Sequence, residues 1–181
     1  MQTITNRNFF ELLKETINEN EEDILNDWSN YKRFTNLIKG NENSILKQIA
    51  NKFELQVYEI DYYSLDAIFY KNEDLCPEIK GNAFWFRNIQ IAFEHENNFK
   101  SGLYQELSHL IVTNSELKVL VTYPNDEDDG YEMLKKFTDI ILGNRSEKEF
   151  SDNESILVIY GYKNELQWDG FIYGNSEWLK I

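Results

Sequence analysis

One cysteine in the chain, Cys76, rules out an internal disulfide and suits a reducing compartment. Two prolines and eight glycines form no linker, and no low-complexity tract or internal repeat interrupts the sequence. No stretch approaches the ~20 consecutive apolar residues of a membrane span. Met1 to Phe10 holds no apolar run ahead of a small-residue cleavage site, so no signal peptide is expected. The expected location is cytoplasmic, with no membrane partner. Basic residues are scarce as well: 18 Lys and Arg stand against 32 Asp and Glu, a formal net charge of −14. A uniformly acidic surface repels phosphate backbones, because affinity for them comes largely from Lys and Arg that release counterions.

What is present supports one packed core. The 181 residues are 41% apolar and 15% aromatic, enough to bury roughly 70% of the unfolded surface in a single domain spanning 1–181. Charge is unevenly spread. Residues 125–154 carry ten acidic and four basic side chains, whereas residues 31–53 set Lys32, Arg33, Lys39, Lys47 and Lys52 against Glu42 alone. Nucleic-acid binding is therefore disfavoured by the whole and permitted by one segment.

Residues 1–53 read as helices. Ile24, Leu25, Trp28, Tyr31, Phe34, Leu37 and Ile38 follow helical spacing, with Gly40-Asn41 as the stop. Ile45, Leu46, Ile49, Ala50 and Phe53 form a second amphipathic face, capped by Asn43 or Ser44. The pattern then turns to β-branched and aromatic residues over 55–63, 65–70 and 84–93. A helix is expected over 101–113, with Leu103, Tyr104, Leu107, Leu110 and Ile111 on one face and Asn114 ending it in a left-handed conformation. Strand 117–123 is apolar on both faces, as a sheet centre requires. A helix over about 130–142, closed by Gly143-Asn144, precedes a second such strand over 156–162. The aromatic tail, 166–181, reads as a closing hairpin or flap. The chain thus divides into a helical segment (1–53), a central α/β stretch (55–123) and a closing part (124–181) around one mixed sheet covered on both faces.

The segment IAFEHEN carries the sharpest chemical signal. Side chains alternate along a strand, so Gln90, Ala92, Glu94 and Glu96 share one face, and Ile89, Ile91, Phe93 and His95 the other. Two carboxylates then sit about 7 Å apart, twice the rise per residue. Asp66 lies just inside the preceding predicted strand. Converging carboxylates without a nearby cation repel each other and raise their pKa values, and hard oxygen donors suit Mg²⁺ or Mn²⁺. His95 and His109 show no partner at metal-ligand spacing, and His95 is expected as a hydrogen-bonded core residue. The run NDEDDG at 125–130 has the acidity of a calcium loop, but Lys136 stands where a bidentate Glu is needed. Its acids suit a helix N-terminus instead.

A strand bearing Asp66, a strand bearing Glu94-His95-Glu96, a helix and a buried strand together resemble the αβββαβ core of the PD-(D/E)xK, restriction-endonuclease-like nuclease superfamily, over roughly 43–123. The resemblance implies a restriction-endonuclease-like fold, with Asp66 and Glu94 as the motif's acidic residues and Glu96 at its lysine position. All three would then be catalytic and metal-binding, with Mg²⁺ or Mn²⁺ as cofactor and DNA as substrate. Leu65 replaces the motif's proline. Glu96 in place of lysine is similar to the branch with ExE, and Lys100 is placed to supply an ammonium group. Lys32, Arg33, Lys39, Lys47, Lys52 and Lys100 would meet phosphates. The competing readings are an acidic immunity or anti-nuclease protein that masks a basic protein partner, and a catalytically inactive nuclease-fold interaction domain. A homodimer is left open.

Overall fold

The computed structural model describes residues 3–76, 84–144, 155–163 and 166–181. Four helices come first: α1 (Asn6–Glu19), α2 (Glu21–Asp27), α3 (Tyr31–Ile38) and α4 (Ile45–Lys52). Strands β1 (Gln56–Tyr58), β2 (Ala67–Tyr70) and β3 (Ile91–Glu96) follow, with a 3₁₀ turn at Asn72–Asp74. Helix α5 (Leu103–Val112) leads to β4 (Leu117–Thr122), and α6 (Glu127–Asn144) to β5 (Ser155–Tyr162). The hairpin of β6 (Gln167–Gly174) and β7 (Glu177–Lys180) closes the sheet. The chain is thus α/β, with a seven-stranded mixed sheet and, among the described residues, six α-helices. No helix of the described residues is long and apolar enough to cross a membrane.

Strand order in the sheet is the order of the chain, β1 to β7. The β1–β2 and β2–β3 pairs are antiparallel, β3–β4 and β4–β5 parallel, and the last two pairs antiparallel again. Each parallel step needs a crossover, and α5 and α6 provide the two. Both faces of the sheet are buried. Ile91, Phe93, Val119 and Leu157 join the side chains of α1 to α4 on one face. Ala92, Leu120, Ile156 and Val158 join Leu107, Leu110 and Phe137 on the other. This two-sided burial explains why β4 reads as an unbroken apolar run.

Local chemistry sets the boundaries. Thr5 Oγ1 accepts from Asn8 N at 3.1 Å to start α1, and Ser44 Oγ accepts from Lys47 N at 3.2 Å to start α4. Asp126 Oδ1 accepts from Asp129 N at 2.8 Å at the head of α6, so the acidic run at 125–130 serves a helix N-terminus. Several expectations need correction. The helical pattern from Ile24 to Ile38 is two helices, because Asn30 Oδ1 accepts from Arg33 N and begins a new one. Leu25 and Tyr31 consequently face solvent. Helix α5 ends at Thr113 in extended backbone, not at a left-handed Asn114, and Tyr104 is exposed rather than on the packed face. Residues 84–90 lie ahead of the ladder, which starts at Ile91, so Ile89 packs with the α5–α6 core instead of beside Ile91. The 145–154 part of the acidic stretch lies outside the described residues.

Candidate metal centre

A tight turn presents Asp66. Tyr62 and Leu65 exchange backbone hydrogen bonds at 3.1 Å, and Tyr63 and Ser64 between them have φ of 53° and 69°. Two successive left-handed residues are the geometry of a type I′ hairpin turn, which reverses the chain within two residues. Asp61 Oδ1 steadies the turn by accepting from Ser64 N at 2.7 Å. Asp66 follows immediately, one residue ahead of β2 rather than inside it.

Ala67 pairs with Phe93, so the antiparallel register carried one step further sets Asp66 opposite Glu94. Two hydrogen bonds link these ends of the strands. Asp66 N donates to Glu94 Oε2 at 3.0 Å, and His95 N donates to Asp66 Oδ2 at 2.8 Å. The other carboxylate oxygen of Asp66 meets the ammonium of Lys39, the residue that caps the C-terminus of α3. Glu94 is only 1% exposed, and with the Glu94 and Glu106 carboxylates both ionised its Oε1 has no hydrogen-bond donor; a proton shared with Glu106 would meet it. An orphaned oxygen on a buried carboxylate is costly unless a proton or a cation meets it. Burial, followed by the charges of Asp66 and Glu106, pushes the Glu94 carboxyl up to about 10.

Glu96 lies two residues on, at the open end of β3, and is only partly buried. Its Oε1 accepts from Asn98 N at 2.5 Å. Its Oε2 approaches Gly102, the N-cap of α5, which has φ +93°; a Cβ there would come within 3.0 Å of that oxygen. Glycine at 102 therefore serves both the left-handed backbone and the space the carboxylate occupies. Burial raises the Glu96 carboxyl, the Asn98 amide opposes this, and the Glu106 and Asp66 charges add to the rise.

A second convergence involves a different set. Among the described residues, one ligand atom from each of Glu94, Glu106 and His109 lies within 4.8 Å of the others, and neither Asp66 nor Glu96 belongs to that group. His109 Nδ1 stands 3.7 Å from Glu94 Oε1 and 3.6 Å from Glu106 Oε2, and forms no hydrogen bond. The expectation that His109 lacks a partner is thus corrected. Glu106 and His109 are three residues apart on α5, which puts them on one helix face, and the missed signal was Glu-x-x-His, a spacing that helical metal sites use. His95, in contrast, is the buried, hydrogen-bonded residue expected: its Nε2 lies 2.7 Å from Tyr123 Oη. The donor set of carboxylate oxygens and one imidazole, around an orphaned buried oxygen, fits a divalent cation.

No protein-family model matches the chain, and no curated protein matches it.

The basic residues are placed less simply than their count suggested. Lys39 pairs with Asp66, Lys47 with Glu59 at 3.3 Å, and Lys52 with Glu19 at 2.9 Å and Glu15 at 3.3 Å. Arg33 is 72% exposed, 3.8 Å from Asp27, and Lys32 is exposed beside it. Lys100 lines a cleft of about 730 Å³ where the parallel strands β3, β4 and β5 end. Asn97, Tyr123, Tyr162 and Lys163 also line it, whereas Asp66, Glu94, Glu106 and His109 do not. The cleft thus begins one residue beyond Glu96, beside the carboxylates rather than over them. Ligands of open α/β sheets commonly bind at this carboxyl end of the strands.

Proposed function

We propose that the chain is a metal-dependent nuclease-like protein that hydrolyses phosphodiester bonds of DNA, with Asp66, Glu94 and Glu96 as its acidic residues and Mg²⁺ or Mn²⁺ as its ion. The observation that carries this reading is Glu94, buried opposite Asp66 across β2 and β3 with one oxygen unpartnered. The element order α4, β1, β2, β3, α5, β4 is also the αβββαβ order that the resemblance to PD-(D/E)xK nucleases implies.

In this reading the protein holds its ligand groups in place before the ion and the substrate arrive, and the ion displaces the proton that Glu94 otherwise keeps. Asp66, just ahead of β2, and Glu94 on β3 are fixed by reciprocal hydrogen bonds to backbone N–H groups, so neither needs to reorganise. A bound divalent ion would supply positive charge for the scissile phosphate and acidify water at neutral pH. Glu96, more exposed and at the rim, is placed to orient an attacking water or take its proton. Lys100 and Lys163 at the adjoining cleft offer ammonium groups to flanking phosphates.

The test is cleavage of single- and double-stranded DNA by purified protein with Mn²⁺ or Mg²⁺. Asp66→Asn and Glu94→Gln, each still folded, should lose roughly 100-fold or more of the rate. Wild-type protein that binds Mn²⁺ yet cleaves neither DNA nor RNA would instead be a nuclease-like interaction domain. A third reading, an acidic protein that covers a basic partner, draws support from the internal ion pairs of Lys39, Lys47 and Lys52, which leave the acidic net charge to dominate at longer range. Absence of DNA binding even at low salt would favour it.

A further inference from the structure

Glu106 and His109 are unused by the reading above, although one ligand atom of each lies within 4.8 Å of one of Glu94. The geometry points to a second ion site, built by Glu94 with Glu106 and His109, that takes a first-row transition ion such as Mn²⁺ or Zn²⁺ in preference to Mg²⁺. This inference rests on the metal-dependent reading only through the shared Glu94.

Three observations carry it. The first is the orphaned Glu94 Oε1, on a carboxylate that is almost wholly buried and directed at α5. The second is the matching vacancy in the hydrogen bonding of His109: Nδ1 is itself buried, makes no hydrogen bond, and faces that oxygen. A direct hydrogen bond would draw the pair to about 3 Å. The third is spacing. Ligand atoms bonded to one ion at about 2.0–2.2 Å stand roughly 3–3.6 Å apart when they subtend 90–120° at it. His109 Nδ1 lies 3.7 Å and 3.6 Å from the two carboxylate oxygens, close to that range. These separations are too long for good hydrogen bonds and nearly right for a shared centre.

The donor chemistry sets the preference. An imidazole nitrogen beside two carboxylates is a mixed N/O site, which borderline ions such as Zn²⁺ accept readily and Mg²⁺, a hard ion that prefers oxygen, does not. Access would come past Glu106, whose side chain is 21% exposed, because the ligand atoms of Glu94 and His109 are themselves buried. The alternative occupant is a proton held between Glu94 and Glu106, which would satisfy the carboxylates but leave His109 Nδ1 without a bond.

The test uses the whole protein freed of metal with a chelator. Calorimetric titration should show Zn²⁺ and Mn²⁺ binding at least about tenfold tighter than Mg²⁺, a difference of roughly 1.4 kcal/mol. His109→Gln should lose about tenfold or more in Zn²⁺ affinity while its Mg²⁺ affinity stays within twofold. Pulsed electron paramagnetic resonance of wild-type protein loaded with one Mn²⁺ should show coupling to a directly bonded imidazole nitrogen, a readout that does not depend on a variant folding. Absence of nitrogen coupling, or a His109→Gln variant with unchanged Zn²⁺ affinity, overturns the inference and leaves the nuclease reading to its own test. Conversely, tight Zn²⁺ binding through His109 in a protein that cleaves no nucleic acid supports the site and removes only the nuclease reading.

Discussion

Lys39 holds Asp66 at two points: its ammonium meets the Oδ1 carboxylate oxygen and also lies 3.4 Å from the backbone carbonyl of the same residue. A side chain from the helical segment thus neutralises one carboxylate at the ends of β2 and β3, in the place where a divalent cation would otherwise act. The ammonium and an ion compete for the same negative charge.

Lys39→Met should therefore change two quantities in opposite directions. Stability should fall by about 1 kcal/mol, the upper range for a partly exposed ion pair. Mn²⁺ affinity should rise about three- to tenfold, because the charge of Asp66 is no longer balanced. Urea unfolding and calorimetric titration on the same sample would check both. An unchanged Mn²⁺ affinity would mean that Asp66 and the ion do not interact.

The raised Glu94 carboxyl gives stability a definite pH dependence. With a folded-state value near 10 against 4.5 for the unfolded chain, the native state keeps a proton that the unfolded state releases. The stabilisation from that proton is complete below the ordinary carboxylate range and is lost progressively as pH climbs towards 10. Metal-free wild type should accordingly weaken between pH 6 and 9. Glu94→Gln, which imitates the protonated form, should flatten this slope and be more stable at pH 8 by about 1–3 kcal/mol. It should also lose the rise in melting temperature that Mn²⁺ gives the wild type. Parallel pH profiles for the two proteins would show that Glu94 ionises as an ordinary exposed carboxylate does.

A third expectation is independent of the site. The turn between β6 and β7 places Asn175 and Ser176 at φ of 50° and 62°, and the buried Ser176 Oγ has no hydrogen-bond partner. Asparagine tolerates this conformation, whereas serine carries a Cβ that opposes it. Ser176→Gly creates the Asn-Gly pair that two-residue hairpins favour and removes the unpartnered hydroxyl. Stability should increase by about 1 kcal/mol, read as a higher urea midpoint at constant slope.

Period and composition made much of the architecture legible. Alternation across Ile91 to Glu96 correctly separated Phe93 and His95 from Ala92 and Glu94, because a strand has only two faces. The unbroken apolar run of β4 announced a strand buried on both sides. Relationships that depend on packing were not legible. Lys39 was counted with the basic helices, and nothing local ties it to a carboxylate 27 residues away. Glu106 and His109 form a local pair, but their meaning depends on α5 crossing β3 at Glu94. Aromatic content over 84–90 suggested a strand, whereas that segment makes an isolated bridge between Leu75 and Phe86, with Arg87 N donating to Asp74 O at 2.7 Å, and joins β2 through Gln90 N at 2.8 Å from Phe69 O.

Because the seven strands lie in the sheet in the order in which they occur in the chain, each can pair with a neighbour already synthesised. Sheet growth can keep pace with a ribosome, and loop closure between strands stays short for a protein with this much β structure. Helix α1 is the exception. It is made first, yet Phe10 packs at Gly170 of β6, close enough that a Cβ there would come within 3.1 Å of the ring. Phe9 of this helix can stack on Phe53 as soon as α4 is made, but the Phe10 side of its apolar face must wait for one of the last strands and stays open to a chaperone or another nascent chain until then.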